Sequence, residues 1–239
     1  MYPQTPTHPG FGWREVGLTL LVFFGGSAAI IIVMRFIVAL LNLPTEGGLL
    51  SPPAYITGIG FYLMLLLGMY LFGARRAGWA ALGVRTTQWY YYALVPLLFM
   101  IGLSAVAALN MLIMQMIGSF ENPQVEAISG GTAMSLGELG AGLLLIAVLV
   151  PLVEELFFRG MLYPLLRQRL PMLVAVILNA AIFSAIHLIP VLLPSLFVVG
   201  LILAYLRERS GSIWPGVLYH MFQNGMAMLL IYVSLNMGG

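Results

Sequence analysis

Glu154 and Glu155 stand side by side in an otherwise apolar stretch from Leu139 to Phe158, with Arg159 one helical turn further on. A carboxylate near the middle of a bilayer costs about 2.5–3.5 kcal/mol on insertion scales, so two in a row mark a working site. Neighbours on a helix point about 100° apart, whereas residues four apart share a face. Glu155 is therefore set to pair with Arg159, and each makes burial of the other tolerable. Glu154 has only Val150, Pro151, Phe157 and Phe158 at helical contact spacing. Its partner must come from another helix.

Two histidines fall in apolar stretches: His187, four residues after Phe183, and His220, four residues before Asn224. His220 and Asn224 share a helix face and can present an imidazole and an amide to one site. Asn179, two turns before His187, is a further buried polar candidate. With such groups Glu154 could take a proton from water, while a histidine orients that water or later protonates the leaving amine. His220 and Asn224 could donate hydrogen bonds to a tetrahedral oxyanion. Carboxylate and imidazole are also ordinary zinc ligands, so Glu154, His187 and His220 form the metal set if zinc is bound. Spacing leaves metal-free and zinc-assisted hydrolysis both open.

The composition places this chemistry in a membrane. The chain has 239 residues, 61% hydrophobic and 8% charged, against about 25% charged in a soluble domain. Cysteine, aspartate and lysine are all absent, which removes thiol nucleophiles, disulfides and an aspartyl protease. No HExxH helix occurs. Gly102-Leu103-Ser104 and Gly25-Gly26-Ser27 lack the further glycine of a membrane serine-protease site and read as small-residue helix contacts. A net charge of +2 gives no reason to expect nucleic acid. The fifteen methionines read as pliable packing.

These residues must be held by spans of roughly 20 apolar residues. Seven such runs occur, at 17–43, 54–73, 90–117, 139–166, 171–188, 190–206 and 213–235. The expected fold is an all-α polytopic transmembrane bundle of about seven spans, with eight as the alternative count. Arg14, Arg75, Arg76, Arg85, Arg167, Arg169, Arg207 and Arg209 fall on one side, whereas the other holds Glu46, Glu121, Glu126 and Glu138. Cytoplasmic loops collect positive residues, so the N-terminus is expected inside a plasma (inner) membrane. Trp13, Trp79, Trp89 and Trp214 mark the same interface, extended by Tyr90, Tyr91 and Tyr92. The polar start of the chain shows no cleaved signal peptide, and His8 there is expected to be solvated. The 119–137 loop, with Asn122-Pro123 and Gly130-Gly131 as turn signals, is the longest connection. One membrane domain follows: a cytoplasmic tail (1–16), N-terminal helices (17–138) and a catalytic core (139–239). At about 1.5 Å per residue, His187 lies roughly 24 Å from the inner end of its run and His220 about 10 Å from its own. The two meet only if the fifth run starts inside the cytoplasm, tilts or kinks.

Glu154-Glu155-x-x-x-Arg159, Phe183-x-x-x-His187 and His220-x-x-x-Asn224 resemble the three motifs of the CAAX-processing and bacteriocin-processing (CPBP) family, which joins CAAX endopeptidases to bacterial Abi-type homologues. Gly211-Ser212-Ile213-Trp214-Pro215-Gly216 is similar to the approach to its third motif. The resemblance implies a glutamate-dependent intramembrane endopeptidase acting on a membrane protein or peptide. In it Glu154 and His187 activate water, His220 and Asn224 serve the oxyanion, and Glu155 with Arg159 support them. The family was also long described as metal-dependent, which keeps zinc open. Two other classes stand beside the enzyme: a non-catalytic membrane scaffold or bacteriocin-immunity-type protein, and a transporter using Glu154 and the histidines as carriers. No inverted repeat or pair of broken helices favours the transporter.

Overall fold

A computed structural model describes residues 10–118 and 123–237. His8, Glu121 and Asn122, singled out above, lie outside the described residues, as do 238–239. Eight helices carry the fold, and no strand occurs among the described residues. They are α1 (Trp13–Leu41), α2 (Pro52–Ala77), α3 (Trp89–Ile117), a short α4 (Pro123–Ser129), α5 (Leu136–Arg169), α6 (Met172–Ala185), α7 (Pro190–Ser210) and α8 (Trp214–Met237).

By length and composition five of these, α1, α2, α3, α5 and α7, can cross a membrane. Two of the seven expected runs differ, for separate reasons. The fifth is the 14-residue helix α6, about 21 Å long, which is short of a bilayer core of about 30 Å. The seventh, α8, has 24 residues; its first half carries Tyr219, His220, Gln223 and Asn224 and lowers its apolarity. The chain is a multi-pass membrane protein.

Close contacts between small residues set the packing. A Cβ on Gly68 of α2 would meet the Thr19 carbonyl of α1 at 2.9 Å, and one on Gly200 of α7 would meet Ala180 of α6 at 3.0 Å. The two G-x-S matches serve the same purpose, Gly26 against Met64 and Gly102 against the Tyr219 hydroxyl. Around α5 the core gathers Val153, Met161, Phe183, Leu203 and Leu206.

Helix α5 widens into π-helical turns at Leu143–Leu149 and Leu156–Leu162, on either side of the two glutamates. Each widened turn runs into a proline. Val150 N–H reaches back five residues to the Leu145 carbonyl, and the next donor in that register would be Pro151, which has none. Tyr163 N–H likewise bonds the Phe158 carbonyl, and the next residue is Pro164. The Ile146 and Arg159 carbonyls are thereby left without a backbone donor inside a buried helix, a costly state unless a side chain supplies one. Asn224 of α8 donates to Ile146 at 2.9 Å. Arg207 of α7 donates through Nε to Arg159, also at 2.9 Å. The prolines thus tie α5 to the two helices that flank the site.

Candidate active site

Glu154 and Glu155 occupy the short α-helical piece between the π turns, and both are buried, as are Arg159 and His220. The (i, i+4) pair forms as the spacing requires: Arg159 Nη1 donates to Glu155 Oε1 at 2.8 Å. Its Nη2 donates to the Gly200 carbonyl at 3.1 Å, and the guanidinium lies 4.5 Å from the centre of the Phe183 ring. Gly216 of α8 gives the Glu155 carboxylate its room, because a Cβ there would stand 3.0 Å from Oε2.

His220 bridges the two glutamates. Its Nδ1 is 3.3 Å from Glu155 Oε1, and its Nε2 is 3.9 Å from Glu154 Oε2. An ionised carboxylate only accepts, so Nδ1 carries the hydrogen and Nε2 is the atom turned towards Glu154. Glu154 Oε1 accepts a hydrogen bond from the Tyr62 hydroxyl at 3.2 Å, whereas its Oε2 is buried and has no hydrogen-bond partner among the described residues.

His187 lies just past the C-terminal end of α6, in a turn rather than inside a span. Its Nδ1 donates to the Phe183 carbonyl at 2.8 Å, which leaves Nε2 as the available nitrogen. Both imidazoles pack edge-on against Phe183, with ring centres 5.0 Å away for His187 and 5.6 Å for His220. The depth mismatch of the two histidines is resolved at this one side chain. Asn179 is fully buried and donates to the Phe158 carbonyl at 3.1 Å, so its work is to brace α5. Asn224, one turn beyond His220 on α8, has one amide hydrogen committed to Ile146 of α5.

Two residues of this site escaped the motifs. Tyr62 sits halfway along α2, and the signal was available: a tyrosine at mid-span needs a partner for its hydroxyl. Arg207, counted above as a loop arginine, is buried against α5; only packing shows that.

The zinc set does not close. Among the described residues no three His, Cys, Asp or Glu side chains gather as a metal would need, and both His187 and His220 pack onto Phe183. No step below runs through a metal. The arrangement instead suits proton transfer, with a buried carboxylate oxygen lacking a partner beside an imidazole nitrogen.

Residues 137–226 match the family described as type II CAAX prenyl endopeptidase Rce1-like. No curated protein and no solved structure matches the chain. The matched segment begins at the head of α5, ends two residues beyond Asn224 and contains all three motifs in order, so over these residues the chain is similar to the CAAX-processing family of membrane proteases.

Proposed function

We propose that the chain is an intramembrane endopeptidase that hydrolyses a peptide bond of a membrane-associated protein or peptide, with Glu154 as general base. The observation that carries this reading is the Glu154 Oε2 atom, buried, without a partner, and 3.9 Å from His220 Nε2. That distance is too long for a direct hydrogen bond and suits a bridging water. The water gives one proton to Glu154 Oε2 and a hydrogen bond to His220 Nε2. Its oxygen attacks the scissile carbonyl carbon, and the carbonyl electron pair moves onto oxygen. Asn224 keeps one amide hydrogen beyond that given to Ile146 and donates it to this oxyanion. Collapse breaks the C–N bond. The proton held by Glu154 passes to the leaving nitrogen, with His187 Nε2 as relay, and the carboxylate is restored. The resemblance assigned His220 to the oxyanion; its approach to Glu154 supports orienting water instead. Glu155 and Arg159 hold the His220 ring through its Nδ1 side.

Detergent-purified protein and a quenched membrane peptide test this. Glu154→Gln keeps the volume and removes the base, so cleavage is expected to fall on the order of 10²–10⁴-fold. Cleavage that survives the substitution overturns the reading. A biological effect that persists in the Glu154→Gln protein would favour the scaffold class.

A further inference from the structure

All three motifs lie beyond Leu139, and the family match starts at residue 137. The hydrogen bond that Glu154 accepts nevertheless comes from the other half of the chain, from Tyr62 on α2. Helix α2 packs along α5 on both sides of the glutamates. The Tyr62 ring is half-buried against the core, so packing fixes where its hydroxyl points.

A glutamate side chain turns about three bonds, and a base that turns freely spends little time aimed at its water. No residue of α5 holds Glu154: among the described residues Oε2 has no hydrogen-bond partner, and Glu155 pairs with both Arg159 and His220. A donor on Oε1 fixes the plane of the carboxylate and leaves Oε2 facing His220 Nε2. We propose that Tyr62 is a positioning residue for Glu154, its hydroxyl holding Oε1 so that Oε2 stays aimed at the nucleophilic water. The first half of the chain then supplies part of the catalytic apparatus as well as an anchor. This rests on the peptidase reading above.

Tyr62→Phe deletes one oxygen and keeps the ring. Hydrogen bonds to charged groups carry about 1.5–3 kcal/mol, so kcat should fall on the order of 10- to 100-fold. KM and the unfolding midpoint in detergent should stay at their wild-type values. A kcat that does not change, or a loss confined to KM, overturns the proposal. Infrared spectroscopy of the glutamate carboxylate reads the contact without turnover. The band of Glu154, identified by its absence in Glu154→Gln, should move in Tyr62→Phe, and a stationary band overturns the proposal. The two readings fail differently. A wild-type protein that cleaves no membrane peptide removes the peptidase assignment and, with it, the catalytic meaning of Tyr62. An active wild type with an unmoved band removes Tyr62 alone.

Discussion

Glu154 and Glu155 differ by one position and have opposite electrostatic surroundings. Glu155 shares Oε1 between Arg159 and His220 at 2.8 and 3.3 Å, whereas Glu154 accepts a hydrogen bond from a neutral phenol on Oε1 and has His220 Nε2 at 3.9 Å from Oε2. Removing one member of a buried ion pair leaves the other charge uncompensated, at a cost of about 3–5 kcal/mol. Glu155→Gln and Arg159→Met should therefore lower the unfolding midpoint and the folded yield, followed by thermal melts in detergent. Glu154→Gln should leave both unchanged while abolishing cleavage, which separates the structural carboxylate from the chemical one. Activity should also survive a strong chelator, since the machinery proposed uses no metal; loss of cleavage restored by added zinc would contradict that. At this scale the Glu155–Arg159 pair was legible from spacing alone, because a helix dictates which residues four apart must meet. The partner of Glu154 was not, since nothing local in the chain says which neighbouring helix reaches it.

The prolines of α5 show how an element can be shaped by what it lacks. Pro151 and Pro164 each withhold an N–H from a widened turn, and side chains from α8 and α7 make good the two carbonyls. An unsatisfied buried polar group costs about 1–3 kcal/mol. Asn224→Leu should destabilise by that amount in the wild-type background and by less beside Pro151→Ala, where the backbone recovers a donor. Arg207→Met and Pro164→Ala should behave as a second such pair. Urea or thermal unfolding of both double-mutant cycles measures the coupling, and strict additivity would refute the account. The prolines are plain in the sequence, but the shift from four-residue to five-residue hydrogen bonding is not, since an apolar run has the same period either way. The same blindness explains α6. The apolar run of 171–188 is continuous, yet the helix stops at Ala185, and Leu188 takes a left-handed backbone with φ +56°. His187 falls in the turn between, which apolarity could not disclose.

Across the whole molecule the connections gather at two ends of different chemistry. At one end Arg76 lies 3.6 Å from Glu15, Arg169 stands over the Trp13 ring, and Arg85 Nε donates to the Gly211 carbonyl at 2.7 Å. Thr87 and Tyr91 donate to the Ser210 and Arg209 carbonyls there, binding the start of α3 and the residues before it to the end of α7. At the other end Asn236 exchanges two hydrogen bonds with the Met134 backbone, and Gly48 presses against Ala127 and Gly130. Arg76, Arg85 and Arg169 thus gather at one end of the fold, whereas Arg207 of the same set is buried against α5. Cytoplasmic faces collect arginine, so this end is expected inside. The absence of cysteine makes the point directly measurable. Gln88 and Thr132 are exposed at opposite ends, and neither takes part in the site. With a membrane-impermeant maleimide on sealed cells, Thr132→Cys should label at once and Gln88→Cys only after permeabilisation. The reverse pattern would invert the molecule, and substrates would then reach Glu154 from the side opposite to the one the arginines predict.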